Sequence, residues 1–299
     1  MRNAEDTERL TAFIESLKVS QTPFLMKLEQ QALQEQIPII RPQTRALIRF
    51  LLDTGRPRRI LEVGTAIGYS TLYMREYAPA DCEIVSIEKD PEREKRAEQN
   101  VHAYAAETKA QRGGRTEDGL EKAGGDGGAA AEKSKEADGG GTPGAGLTGG
   151  GGAEQGEGPD CRITLIEGDA ADVLKNLAEQ DGRRFDFVFM DAAKGQYIHF
   201  LPMVKALLAP GGVLLSDNVL KGGEILEPRY AVTRRNRTIH RRMREYLEAL
   251  TSDPELSTVV LATGDGAAMS VRRIPVEDGS FHGPIREQFR TGISSADDV

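Results

Sequence analysis

Residues 59–70 read Arg59-Ile60-Leu61-Glu62-Val63-Gly64-Thr65-Ala66-Ile67-Gly68-Tyr69-Ser70. A short apolar strand, a glycine turn and a helix start follow one another. Gly64 lets the backbone approach a ligand closely, Gly68 relaxes the turn, and Ser70 is placed to cap the helix. A helix N-terminus here favours a carboxylate or phosphate. The glycines lack the G-x-G-x-x-G spacing of a dinucleotide site, which makes a nicotinamide cofactor the weaker choice.

Outward from this turn, strands and helices alternate. Strands are expected at Arg59–Val63, Glu83–Ile87, Arg162–Ile166, Phe185–Met190 and Gly212–Ser216. Helices are expected at Tyr69–Tyr77, Pro91–Tyr104, Ala171–Ala178 and Tyr197–Leu208. Such units imply an α/β fold with a parallel sheet covered on both faces. Ser257–Ala262 and Ala267–Arg273 flank Asp265-Gly266, a strong hairpin signal. The sheet is therefore expected to be Rossmann-like, mostly parallel and seven-stranded, ending in an antiparallel pair.

Ahead of the sheet, residues from about 3 to 36 read as two helices broken at Thr22-Pro23. Pro42 to Asp53 reads as a third helix, stopped by Gly55. Residues from about 106 to 159 are rich in Gly, Ala and charge and cannot bury enough apolar area to offset ordering entropy. They are expected to be a disordered insertion that a long loop can carry at small closure cost. The organisation expected is one domain over 1–273, interrupted by that insertion, with a flexible tail over 274–299.

The chain has 299 residues, a net charge of −8, 38% hydrophobic residues and no Trp. The acidic balance argues against a dedicated nucleic-acid-binding protein. Cys82 and Cys161 form no CxxC pair and read as two ordinary reduced thiols. The opening MRNAEDTERL has acids and no apolar core, so no signal peptide is expected. No apolar run approaches membrane-spanning length. A cytoplasmic protein without membrane association is the expectation.

Three strand tips carry acids. Glu88 ends the second strand at Ile87-Glu88-Lys89-Asp90, where an acid can accept both ribose hydroxyls of a nucleoside. The third runs into Glu167-Gly168-Asp169-Ala170, suited to an adenine amino group. Open α/β sheets bind ligands in the crevice at these carboxyl ends. The fourth strand ends in Asp191-Ala192-Ala193-Lys194 and the fifth in Asp217-Asn218. Asp191, Asp217 and Asn218 offer three oxygens to a hard cation, with positions left for water and substrate. No His or Cys cluster points to zinc.

With these motifs in view, the sequence resembles the cation-dependent O-methyltransferases, the catechol and caffeoyl-CoA enzymes and their bacterial relatives. EVGTAIGYS, the IEKD tip, EGDA, FMDAAKGQY and LLSDNVLKGG carry the resemblance, which spans the chain apart from the insertion and tail. It implies a class I S-adenosylmethionine-dependent fold and enzyme. It implies Mg2+ or Mn2+ at Asp191, Asp217 and Asn218, Glu88 on the ribose, Lys194 as general base and Ile40 near the cofactor. The expected cofactor set is Ile40, Glu62, Gly64, Ser70, Glu88, Asp169, Ala170 and Asp191. A homodimer through the N-terminal helices is also implied.

Within that family, PIIRPQTRALI, DAAKGQY and SDNVLKGG look most like the bacterial tRNA 5-hydroxyuridine methyltransferases, which make 5-methoxyuridine at wobble position 34. A 5-hydroxyl beside the uracil 4-oxo group offers the same two-oxygen chelate as a catechol. Arg229 to Arg244, RYAVTRRNRTIHRRMR, holds seven arginines and no acid. On a helix beginning near Val232 it forms a basic face for tRNA phosphates, or a solvated face paired with Glu224, Glu227 or Glu245. A small-molecule catechol or phenylpropanoid acceptor is the alternative. A non-enzymatic cofactor-binding scaffold is the third reading, which the intact site residues oppose.

Overall fold

The structure, a computed structural model, describes residues 9, 12–14, 16–17, 21–117, 161–180, 182–228 and 230–275. The elements in chain order are α1 Pro23–Gln34, α2 Pro42–Gly55, β1 Arg59–Val63, α3 Tyr69–Tyr77, β2 Glu83–Glu88, α4 Pro91–Glu117, β3 Arg162–Glu167, α5 Ala170–Glu179, β4 Phe185–Met190, α6 Tyr197–Leu207, β5 Leu208–Asp217, α7 Arg237–Ser252, β6 Leu256–Leu261 and β7 Ala267–Arg272. They build one seven-stranded sheet in the order β3-β2-β1-β4-β5-β7-β6. β1 to β5 pair in parallel, and β7 runs antiparallel to both β5 and β6.

Strand periodicity splits the core into two layers. Leu61, Val63, Val188 and Met190 face a cluster with Leu174, Tyr197, Phe200 and Tyr246, contributed by α5, α6 and α7. Ile60, Phe187 and Phe189 face the opposite cluster with Leu25, Ile48, Leu52, Leu72 and Tyr73, contributed by α1, α2 and α3. The strand order reverses between β1 and β4, which opens the crevice where such sheets bind ligands.

Several local expectations change. α4 continues to Glu117, well into the segment read as insertion. Beyond Tyr104 its residues are mostly Ala, Glu, Lys, Gln and Arg, good helix formers without an apolar stripe, and a helix with no apolar stripe has the composition of a polar loop. Residues 118–160 and the tail from 276 lie outside the described residues, as does most of the first expected helix. α2 includes Gly55, and Arg56 takes the left-handed conformation (φ 44°) that ends it. β5 starts at Leu208 because a register shift between Phe185 and Phe187 of β4 absorbs the Pro210-Gly211 kink. α7 begins at Arg237, after a turn in which Val232 is buried.

Cys82 and Cys161 are joined in a disulfide, Cα atoms 4.6 Å apart, where separate thiols were expected. The parallel register pairs Glu83 with Arg162, so the residues just before β2 and β3 are neighbours despite a sequence separation of 79. No helix among the described residues is long and apolar enough to cross a membrane.

Candidate active site

At the β1 turn, Gly64 has φ 107°, and a Cβ there would stand 2.1 Å from the Asp191 carbonyl oxygen. The close approach that needs glycine is therefore to the chain's own backbone at the end of β4. Asp191 N donates to Val63 O at 2.9 Å, and Gly64 N to Ile87 O at 2.9 Å. The turn fastens three strand tips together. Gly68 (φ 81°) occupies the cap position of α3. Ser70, expected as the cap, instead hydrogen-bonds the Glu62 carboxylate.

Glu62 is completely buried and does not reach the cavity wall. Its Oε2 accepts from Ser86 Oγ at 2.5 Å and from Thr71 Oγ1, and Ser86 Oγ lies 2.5 Å from Thr65 Oγ1. This network binds the turn, β2 and α3 into one unit. Burial pushes the Glu62 carboxyl up to about 7 from its ordinary value near 4.5. The folded state therefore holds a proton that the unfolded chain has released, and the group's stabilising contribution falls as pH rises from about 4.5 to 7. Glu62→Gln is expected to remove this slope, worth about 3 kcal/mol across that window, as read by urea denaturation at a series of pH values.

A cavity of about 1140 Å³ opens at the carboxyl ends of β1, β2, β3, β4 and β5. Ile40, Gly64, Ser70, Glu88, Asp169, Ala170, Asp191, Lys194, Asp217 and Asn218 all line it, so of the sequence-expected site residues only Glu62 stands back. Glu88 Oε2 accepts from Ala66 N at 2.8 Å, and its Oε1 from the amides of Lys89 and Asp90 at 3.0 Å, which fixes the carboxylate at the cavity edge. Asp169 caps α5 through Ala171 N at 3.0 Å and pairs with Lys89 at 2.7 Å.

The opposite corner gathers the tips of β4 and β5. Lys194 Nζ donates to Asp191 Oδ1 at 2.6 Å and to Tyr197 Oη at 3.0 Å. Tyr197 is fully buried, with its hydroxyl 2.9 Å from Met190 O. Thr44 of α2 donates to Asp217 Oδ1 at 3.1 Å. Asn218 takes a left-handed φ of 57°, a conformation that Asn tolerates better than most residues. Burial, and then the negative charge of Asp191, push the Asp217 carboxyl up to about 6. Asp191, Asp217 and Asn218 line the same cavity, and two carboxylates close enough for one to raise the other, with an amide on the same wall, are oxygen ligands of the kind a hard divalent cation takes. Sequence reasoning missed Thr44 and Tyr197, whose contacts with Asp217 and Lys194 no local motif announces.

Arginines of the basic stretch turn partly inward. Arg237 Nε bonds Val232 O, Arg242 bonds Gly195 O and Arg244 bonds Ile225 O, each at 3.1 Å. Arg241 pairs with Glu245 at 2.5 Å. Arg234 and Arg235 are exposed, and Arg229 lies outside the described residues. The Arg242 contact ties α7 directly to the loop that carries Lys194.

A family model described as O-methyltransferase matches residues 154–274, and one described as protein-L-isoaspartate (D-aspartate) O-methyltransferase matches 10–129. A catechol O-methyltransferase of Niastella koreensis is 24% identical over 188 residues, covering 63% of this chain and 61% of that protein. A caffeoyl-CoA O-methyltransferase of Citrus natsudaidai is 34% identical over 114 residues, covering 37% and 49%. The chain spans about half the length of the curated relatives it matches. Among solved structures, an O-methyltransferase of Streptomyces achromogenes in complex with S-adenosylmethionine superposes with a TM-score of 0.63 at 20% identity, over 92% of this chain and all of that one. The sheet order, the strand-tip cavity and these likenesses together give the chain the class I fold of the S-adenosylmethionine-dependent O-methyltransferases.

Proposed function

We propose that the chain transfers a methyl group from S-adenosylmethionine to one of two adjacent oxygens on an acceptor ring, with the help of Mg2+ or Mn2+. The observation that carries this reading is the meeting of Asp191, Lys194, Asp217 and Asn218 in the cavity that also holds the glycine turn and Glu88. Glu88 and the β1 turn would hold the nucleoside, and Asp191, Asp217 and Asn218 the cation. The cation supplies charge that acidifies the acceptor hydroxyl, and the sulfonium supplies the methyl group.

This chain's own residues do the rest. Lys194 stands beside the cation corner, held by Asp191 and by the Tyr197 hydroxyl; once it has given up its own proton to solvent, the neutral amine would take the acceptor's proton. Thr44 fixes one oxygen of Asp217, so the donor set is pre-arranged and little reorganisation accompanies reaction. The apolar wall at Ile39, Ile40 and Phe200 limits water at the reacting atoms.

For the acceptor we propose 5-hydroxyuridine in tRNA at wobble position 34, converted to 5-methoxyuridine. The support is the arginine-bearing α7, anchored through Arg242 next to Lys194, with Arg234 and Arg235 exposed before it. A catechol or phenylpropanoid acceptor is the second reading, favoured by the names of the curated relatives. Exposed Met26, Leu33 and Phe50 on α1 and α2 support a homodimer. Methylation of 5-hydroxyuridine-bearing tRNA and of catechol, measured side by side, tests the choice. The tRNA reading expects tRNA binding to weaken steeply with salt, and Arg234→Ala/Arg235→Ala to lower the slope of log K against log salt by about two. Turnover of catechol with none on tRNA would select the second reading.

A further inference from the structure

One wall of the main cavity is a strap of chain that belongs to no helix or strand, Ile37 to Arg41, and every residue of it lines the cavity. An ion pair fastens the strap at each end to a different part of the fold. At its start, Gln36 takes a left-handed φ of 56°, Ile37 N donates to Ala32 O at 2.8 Å, and the Glu35 carboxylate is held by Nη1 and Nη2 of Arg96 in α4, at 2.5 and 2.9 Å. At its end, Arg41 reaches the β6–β7 turn through a single contact, Nη2 to Asp265 Oδ2 at 2.8 Å. That turn is itself fixed. Leu220 N donates to Asp265 O and Val219 N to Gly266 O, each at 2.9 Å, and a Cβ on Gly266 would stand 2.3 Å from Leu220 Cγ. Val219 and Leu220 directly follow Asp217-Asn218, so the strap runs from α4, whose Arg93 lines the cavity, to the turn beside the cation corner.

The two fastenings differ in strength. A guanidinium that grips a carboxylate with two hydrogen bonds is stronger and more directional than one making a single contact. The Arg41 side chain is 54% exposed, and a pair so open to water holds by little more than thermal energy. Inside the rim, Thr44 ties the first turn of α2 to Asp217, so movement at the weak end is confined to the strap. We propose that the strap is the door of the cavity and that the Arg41–Asp265 pair is its latch, which opens and recloses to admit and release the cofactor and the acceptor. A buried, multiply bonded pair would trap them. A single rim pair keeps the door shut most of the time and yields often. Ile40, next to the latch, is 4% exposed, so lifting the strap uncovers it. The identity of the ligands that pass rests on the methyl-transfer reading; the motion of the strap does not.

Ile40→Cys supplies a reporter, since the chain's own two cysteines are joined to one another. Its labelling by an aromatic disulfide reagent reads the open fraction without any ligand. Stopped-flow binding of S-adenosylhomocysteine, with Ile40 intact, reads passage. Arg41→Ala and Asp265→Ala are each expected to speed labelling about two- to fivefold, and to raise the association and dissociation rate constants by the same factor, leaving Kd unchanged. A gate alters how often the cavity is open and so moves both rates together, whereas a binding contact moves release alone. The swapped pair Arg41→Asp/Asp265→Arg is expected to restore the wild-type values, and added salt to speed the wild type but not Arg41→Ala. Unchanged labelling, faster labelling with both cofactor rates unmoved, faster release alone, or a swapped pair no better than the single variants would overturn the proposal. If labelling follows the latch and S-adenosylhomocysteine binds neither wild type nor variants, the latch stands and the methyl-transfer reading fails.

Discussion

Gly64→Ala is expected to cost at least about 4 kcal/mol of stability, near the extreme for single substitutions. Two separate penalties add. The φ of 107° is closed to L-residues, and the new Cβ would meet the Asp191 carbonyl oxygen at 2.1 Å. The clashing atom is backbone, so no rotamer change relieves it. The ends of β1 and β4 must move apart, which breaks the hydrogen bond from Asp191 N to Val63 O and displaces Asp191 from the cation corner. For a chain of this size the thermal midpoint should fall by roughly 10 °C. S-adenosylhomocysteine affinity should fall with it. Chemical denaturation together with calorimetric titration checks both, and a variant within 1 kcal/mol of wild type, by the usual error of such fits, would contradict the close backbone approach.

On the proposed cation reading, Mg2+ or Mn2+ is expected to raise the thermal midpoint of the wild-type chain, and Asp191→Ala to abolish that response and lower kcat about a thousandfold. The loss exceeds that of one donor. Asp191 is also the partner of Lys194 at 2.6 Å and one source of the charge that raises Asp217, so its removal disturbs the whole corner. Glu88→Ala provides the contrast, because it should weaken cofactor binding first and leave the cation response in place. Full turnover of Asp191→Ala in the presence of a chelator would refute the cation assignment.

Much of this was legible because a doubly wound sheet delivers its chemistry at strand tips, and a strand tip is a contiguous stretch of sequence. Glu88, Asp191, Asp217 and Asn218 each follow an apolar run that identifies the strand, and parallel pairing does the rest. What stayed hidden depends on packing between distant segments. The Thr44 contact with Asp217 joins residues 173 positions apart, and the Glu62 network joins three elements through short hydroxyls that have no pattern of their own. Glu62 belongs to the motif, but its carboxylate stands behind the cavity wall and holds the turn together, while Ser70 bonds that carboxylate and also lines the cavity. His240 lies in a stretch whose arginines dominated the sequence reading, although its helical spacing to Met243 and Tyr246 is that of a buried face.

The bond between Cys82 and Cys161 bears on the long excursion that separates β2 from β3. Because the two sulfurs close that excursion at its neck, a backbone cut anywhere between 118 and 160 leaves the fragments covalently joined. The bond sits at the amino ends of β2 and β3, the ends remote from the crevice, so reducing it is expected to leave the strand tips that carry Glu88 and Asp169 in place.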